Sequence, residues 1–327
     1  MHRWRGLEAT PGDLGRTVVT IGMYDGVHRG HQQLIGAAVA RARAMRRPCL
    51  LLTFDPHPAE VIRPGSHPAI LTSMDRKAEL VAGLGVDVMC VLPFTQEFMR
   101  LSQESFTHTV LVEHLHAAQV VVGQNFTYGH KAAGTVETLA HEGRRFGFAV
   151  EGVPLANVGG LGDAADDVDV TISSTYIRAC VAAGDMETAA RALGRPHRVD
   201  GVVVRGDRRG RAMGYPTANV ETPPFTAVPA DGVYAGRLVR RTSTGASGDA
   251  HPAAISVGTN PTFQGSRRTV EAFLLDFDGD LYGEHVGVEF VSRLRGMEAF
   301  PDVESLVQAM DQDVADTRRL LDEPELD

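Results

Sequence analysis

At 327 residues the chain is long enough for two hydrophobic cores, at roughly 100–200 residues per domain. With 43% hydrophobic and 22% charged residues it has an ordinary globular composition. A formal charge of −9 argues against a broad nucleic-acid or anionic-membrane surface, yet leaves room for phosphate ligands held by local loops.

The first predicted strand, 17–21, is the apolar run Thr17-Val18-Val19-Thr20-Ile21, and it leads into Gly22-Met23-Tyr24-Asp25-Gly26-Val27-His28-Arg29-Gly30-His31. Glycines at Gly22, Gly26 and Gly30 permit positive φ and close backbone approach, and helical periodicity starts at 31–39. A helix N-terminus above such a turn favours an anion through its free N–H groups and its dipole. His28 and His31, three apart, can both point there, as neutral donors or as imidazolium. On these features alone a metal half-site or two solvated histidines remain open.

Strands at 48–54, 86–92 and 119–123 alternate with helices at 76–84 and 105–115, the first of these helices preceded by a Thr72/Asp75 capping box. This alternation predicts a doubly wound parallel sheet with ligands at the carboxyl ends of its strands. Two loops fall at such ends, Asp55-Pro56-His57-Pro58 and 123–129, and His57 reads equally well as a turn cap or a substrate contact. Thr171-Ile172-Ser173-Ser174-Thr175-Tyr176-Ile177-Arg178 places hydroxyls at the start of a helix ending at Gly184, and a short helix follows at 185–194. Cys49, Cys90 and Cys180, odd in number and without C-x-x-C spacing, read as core thiols in a reducing compartment. The N-terminus has no continuous apolar h-region, and no run approaches the ~18 apolar residues of a membrane helix, so a cytoplasmic protein is expected.

Beyond residue 195 the texture changes to short β-rich segments between glycine turns, at 202–204, 232–239, 253–258, 269–277 and 285–290, closed by a helix at 303–321. Five or six strands so spaced predict a small antiparallel barrel, and the domains divide as 1–186 and 187–327. The stretch 201–219 carries glycines at 201, 206, 210 and 214 amid arginines, a loop able to cover phosphates but lacking the Gly-Lys-Ser/Thr of a Walker A loop. It ends in Pro216-Thr217-Ala218-Asn219, and Glu271 interrupts the apolar alternation of Val270-Glu271-Ala272-Phe273-Leu274.

Taken together these motifs resemble, in order and over roughly residues 16 to 320, the prokaryotic bifunctional riboflavin kinase/FMN adenylyltransferase family. The His-x-Gly-His turn is similar to the nucleotidyltransferase signature, and Ile172-Ser173-Ser174-Thr175 to that family's second phosphate signature. The resemblance implies a Rossmann-like N-terminal domain and a riboflavin-kinase-like barrel with a terminal helix. It implies two ATP-dependent reactions, riboflavin to FMN and FMN to FAD, with Mg²⁺ as cofactor, ATP as co-substrate, and no nucleic-acid or membrane partner. His28 and His31 would bind the α-phosphate region with Gly22, Asp25, Gly26 and Gly30, while Ser173, Ser174, Thr175 and Arg178 would hold the departing pyrophosphate. Asn125 and Phe126 would touch flavin. In the barrel, Gly206, Gly210, Arg211 and Gly214 would cover ATP, Thr217 and Asn219 would hold Mg²⁺, Glu271 would be the base, and 256–263 would be a flavin-side loop. The sequence departs from the family pattern at Tyr24 (usually Phe), at Asn125, Thr127 and Ala132 (often Asp, Arg and Arg), and at His197 (often Tyr). An adenylyltransferase with another acceptor, or a non-catalytic flavin-binding module, are the competing readings. Oligomeric state is left open, a homo-oligomer included.

Overall fold

The run 17–21 becomes the strand β2 (Thr17–Ile21), buried at every residue, in a computed structural model that describes residues 1–157, 171–206, 214–242, 247–262 and 265–322. Strands buried on both faces need apolar residues at successive positions, which is why β2 and its neighbour β3 (Cys49–Asp55) read as continuous runs. With β1 (His2–Arg5), β4 (Val88–Pro93), β5 (Ala117–Gly123) and β8 (Ala149–Val153) they form a six-stranded sheet of order β1-β4-β3-β2-β5-β8, all pairings parallel. A small hairpin, β6 (Thr127–Tyr128) and β7 (Gly134–Thr135), follows β5.

Alternate residues of the strands feed two cores. Val18, Leu51, Met89 and Val121 pack with Ile35 and Val39 of α1 (Arg29–Met45) and Ala78 and Val81 of α3 (Met74–Gly83). Val19, Leu50, Cys90 and Val120 pack on the other face with Phe106, Leu111 and Leu139. The chain runs from β2 through α1 to β3 and then, past α2 (Pro58–Ile62), to β4 on one side, and returns at β5 on the other. The switch point of the sheet therefore lies between β2 and β5, where an α/β sheet presents its ligand crevice.

Some boundaries differ from the sequence-based ones. The helix expected at 105–115 is a short α-helix, Gln103–Phe106, followed by a π-helical stretch, Thr107–His114, whose first residue donates its buried hydroxyl to Tyr128 Oη at 3.3 Å. Two edge strands, β1 and β8, and the helix Val136–Phe146 escaped the reading, because HRWR and AVEGV are partly exposed and lack an apolar run.

In the second half, β9 (His197–Val204), β10 (Thr217–Glu221), β11 (Gly232–Arg241), β12 (Ser247–Thr262), β13 (Gly265–Leu274) and β14 (His285–Arg295) close a barrel of order β10-β13-β12-β11-β14-β9, antiparallel throughout. The loop expected at 256–263 is instead mostly strand, since β12 continues to Thr262 in register with β13. The terminal helix spans Val303–Asp322. Two compact units emerge: 1–68 with 74–173, and 69–73 with 174–327. The second therefore includes the helices Ser174–Ala183 and Met186–Leu193, both upstream of residue 195, where the texture changes. Gly184, the expected stop of the first, sits at φ 78, and a Cβ there would come within 2.8 Å of Tyr234 Oη.

Candidate active sites

In the first unit the turn after β2 is built around three rings. His28 is the N-cap of α1, so the helix starts at Arg29, two residues earlier than its apolar periodicity indicates. Its Nδ1 accepts the His31 backbone N–H at 3.3 Å, which places the ring proton of a neutral His28 on Nε2. The His28 and His31 rings stack with centroids 3.6 Å apart, and Tyr24 meets His31 edge-on at 5.2 Å. Withdrawal from solvent, then His28, then Lys77 hold the His31 pKa well below its usual value, so this imidazole is neutral at pH 7. Its Nδ1 is buried without a hydrogen-bond partner, an open position a phosphate-bearing ligand would satisfy.

The glycines of the turn serve mainly as space. Only Gly26 has positive φ, whereas a Cβ on Gly22 would lie 3.0 Å from the Tyr24 ring and one on Gly30 would lie 3.3 Å from the His28 ring. Positive φ falls also on Tyr24 and Val27, at 50° and 41°. The Tyr24 hydroxyl, the extra atom relative to Phe, is buried and pairs with Thr20 Oγ1 at 2.6 Å, and burial raises its pKa. Asp25 is buried at 3% exposure.

Across the switch point, Asn125 and Phe126 follow β5. Asn125 is exposed, and Phe126 stacks on Tyr128 with centroids 5.6 Å apart. The start of the hydroxyl-rich segment 171–178 reaches the histidine turn by a chain of contacts: a Cβ on Gly30 would lie 3.6 Å from Ala156 Cβ, Ala156 O accepts the Ile172 N–H at 2.9 Å, and Asn157 bridges Thr171. Ser173 is the next residue. Ser174, Thr175 and Arg178 lie in the helix grouped with the barrel unit, where Arg178 Nε donates to Ala69 O at 2.6 Å. His57 caps α2, its Nδ1 accepting the Ala59 N–H at 3.1 Å.

The barrel site arises from register. Asn219 of β10 lies opposite Glu271 of β13, and Glu271 opposite Ser256 of β12, so these three form one cross-strand row. Two residues along β10, on the same face, Thr217 donates to Glu271 Oε2 at 3.3 Å. Val270, Ala272 and Leu274 are buried on the opposite face. Gly206 follows β9, and a Cβ there would overlap the Asn219 amide. Gly214 has φ 89; Gly210 and Arg211 lie outside the described residues.

Thr217 borders two cavities. One, of about 700 Å³, has Glu271, Ser256 and Phe273 on its barrel wall and Leu306, Met310 and Val314 of the terminal helix opposite. The other, of about 460 Å³, lies toward Pro216, Asp278, Asp280 and Tyr282, and Arg205 stands 5.7 Å from the Tyr282 ring. The terminal helix is fastened by a bidentate Arg295–Asp313 pair, at 2.9 and 2.7 Å, and by a Tyr215–Asp311 hydrogen bond that pushes Tyr215 up to about 12. These fastenings and the helix's lining residues were missed in the sequence, where amphipathic spacing at 303–321 was the available signal.

Two family models match the chain, one described as FAD synthetase over residues 10–162 and one as riboflavin kinase over residues 193–321. A bifunctional riboflavin kinase/FMN adenylyltransferase of Pseudomonas fluorescens is 36% identical over 98% of each chain. The chain belongs to the bifunctional riboflavin kinase/FMN adenylyltransferase family. Relatives of the same description from Listeria monocytogenes and Escherichia coli K12 are 36% and 33% identical, over 92% and 88% of this chain and 91% and 88% of theirs. A solved structure described as a macrolide-efflux protein from Streptococcus pneumoniae superposes with a TM-score of 0.83 at 30% identity, covering 97% of this chain and 99% of that one. Among the described residues no helix is long and apolar enough to cross a membrane.

Within a bifunctional riboflavin kinase/FMN adenylyltransferase, the FAD synthetase match falls wholly on residues that the sheet unit and the short segment 69–73 account for, and the riboflavin kinase match falls inside the barrel unit. Mg²⁺ chemistry fits the barrel row. Thr217 and Asn219 offer neutral oxygens beside one carboxylate, and among the described residues no group of three or more His, Cys, Asp or Glu side chains could form a cage. Such a donor set suits a hard cation that keeps waters and phosphate oxygens as its other ligands.

Proposed function

We propose that residues 187–327 phosphorylate riboflavin and residues 1–186 adenylylate the FMN so formed, each with its own ATP. The protein is a riboflavin kinase and an FMN adenylyltransferase. The observation that carries this is that two family matches fall on stretches of different architecture in one chain, a parallel sheet and an antiparallel barrel.

For the kinase step, the flavin ring occupies the 700 Å³ cavity and ATP the 460 Å³ one, with Thr217 at their junction. Glu271 takes the proton of the riboflavin 5′-hydroxyl, whose oxygen forms a bond to the γ-phosphorus as the bond to the β–γ bridging oxygen breaks and ADP leaves. Thr217 and Asn219 hold Mg²⁺, which when bound offsets charge on the phosphates. Gly206, Gly210, Arg211 and Gly214 cover the nucleotide.

For adenylyl transfer, a phosphate oxygen of FMN attacks the α-phosphorus of ATP and pyrophosphate departs. The transition state crowds negative charge onto one centre, which preorganised donors stabilise without reorganising. The His28 Nε2–H and neutral His31 supply such donors, together with the N-terminal amides of α1, while Gly22, Asp25, Gly26 and Gly30 shape the turn. Ser173, Ser174, Thr175 and Arg178 orient pyrophosphate, and Asn125 and Phe126 contact the flavin. Orientation of the two substrates supplies further rate without a covalent intermediate.

Incubation of the purified protein with riboflavin, ATP and Mg²⁺, followed by chromatography, is expected to show FMN and then FAD. FAD absent from a parallel incubation with FMN would remove the adenylyl-transfer assignment, and absence of FMN from the first would remove the kinase assignment.

A further inference from the structure

Lys77 stands on α3 at 4% exposure, in a stretch of helix whose next residues, Ala78 and Val81, belong to the core under the sheet. Lysine is almost never so buried without a partner. Its Nζ donates at 2.7 Å to the carbonyl oxygen of Met23, which also accepts from Thr53 Oγ1 at 3.2 Å.

That carbonyl is the near end of the histidine turn. The next four residues include three with left-handed backbone, Tyr24, Gly26 and Val27, at φ 50°, 86° and 41°. A β-branched valine resists this region, so the turn keeps its shape only if its ends are held. His28 holds the far end as the cap of α1, and Lys77 with Thr53 holds the near end.

The charges of Asp25 in the turn and Asp55 at the end of β3 act on the ammonium, and the ammonium in turn acts on His31 of α1. Burial draws Lys77 down to about 8 while Asp25 and Asp55 hold it up. The lysine thus carries its charge at neutral pH, and that charge helps keep His31 neutral.

We propose that Lys77 is a positioning residue of the adenylyl-transfer site, fixing the strained His28–His31 turn through the Met23 carbonyl while adding a buried positive charge to it. The inference rests on reading that turn as the place of adenylyl transfer. Lys77 keeps its proton throughout: the bond that forms joins an FMN phosphate oxygen to the α-phosphorus, and the bond that breaks releases pyrophosphate.

The full-length protein, Lys77→Met and Lys77→Arg are assayed for FAD formation from FMN and ATP with Mg²⁺ between pH 6 and 9.5, and for riboflavin phosphorylation at pH 7. In the wild type, kcat/KM for ATP in FAD formation is expected to fall as pH rises above about 8. Lys77→Met should lower kcat of FAD formation on the order of 10²-fold, with riboflavin phosphorylation within about twofold of wild type. Lys77→Arg, whose charge does not titrate, should retain activity within about tenfold and lose the alkaline fall. A folded Lys77→Met with wild-type kcat for FAD overturns the proposal. Where that variant does not fold, the pH profiles decide: a fall in the wild type that is absent from Lys77→Arg supports the proposal, and the same fall in both, or none in the wild type, overturns it. Wild-type protein that makes no FAD at any pH defeats the functional reading itself, and is told apart by needing no variant.

Discussion

At His28 a helix cap and the proposed phosphate donor are one side chain. The acceptance of the His31 N–H by Nδ1 both starts α1 and fixes which ring nitrogen carries the proton. His28→Ala should therefore lower FAD formation on the order of 10²-fold through the lost donor, with about 1 kcal/mol of stability lost through the missing cap. His28→Asn restores a capping oxygen without the ring, so steady-state kinetics beside urea unfolding should find stability recovered and FAD formation still low. Recovery of both would assign the histidine to the fold alone. At Glu271, exchange for Gln keeps the shape and removes the proposed base, and single-turnover phosphorylation should slow by roughly 10²–10⁴-fold. Lys77 carries a stability cost. A drop from 10.5 to about 8 in the folded state costs roughly 3 kcal/mol while the ammonium is protonated, a cost fully present below pH 8 and fading as pH rises toward 10.5. Urea unfolding should find wild type gaining on Lys77→Met by roughly 3 kcal/mol as pH rises from below 8 to about 10.5. A difference that does not vary with pH would contradict the burial argument.

At the scale of elements, the barrel site depends on the registers of β10 with β13 and of β13 with β12, since a one-residue slip would carry Glu271 or Asn219 to the opposite face. Gly206 guards that arrangement from β9. Gly206→Ala should lower riboflavin phosphorylation by more than about tenfold, because the added methyl displaces the Asn219 amide, with FAD formation from FMN unaffected. Comparable activity in the two-reaction assay would show that the amide can move without loss. Much of this scale was legible in the sequence. Strands buried on both faces announce themselves as apolar runs, as in β2 and β3, whereas Glu271 by itself reads as an exposed charge at a strand start and stands out only through the resemblance of its flanks. β10 leaves no strand pattern in the sequence because Thr217-Ala218-Asn219 is polar at the positions that face the site, and edge strands β1 and β8 bury too little to leave one. Lys77 was invisible for a related reason: a lysine on an amphipathic helix reads as a solvated charge, and only the packing of α3 reveals that it points inward. The glycines of the histidine turn were legible as a motif, but their purpose was not. Gly22 and Gly30 make room for rings, while two of the strained dihedrals fall on Tyr24 and Val27.

At the scale of the whole molecule, a parallel sheet and an antiparallel barrel are proposed to hold ATP by different means. The sheet offers a helix N-terminus and stacked imidazoles at its switch point, and the barrel offers a cross-strand row of oxygens beside Thr217, which borders two cavities. The histidine turn is a short contiguous motif in the sequence, as is Pro216-Thr217-Ala218-Asn219, whereas Glu271 and Ser256 join the latter only through strand register. The cavity lined by the terminal helix brings together residues nearly a hundred positions apart, from Tyr215 to Val314, and leaves no such local signal. Two separate sites imply two separable losses, and the most direct test is a crossed assay of His28→Ala and Glu271→Gln at saturating ATP. His28→Ala should form FMN from riboflavin at the wild-type rate and almost no FAD from FMN, and Glu271→Gln should do the reverse. Loss of both reactions in either folded variant would contradict the account of two independent ATP sites in one chain.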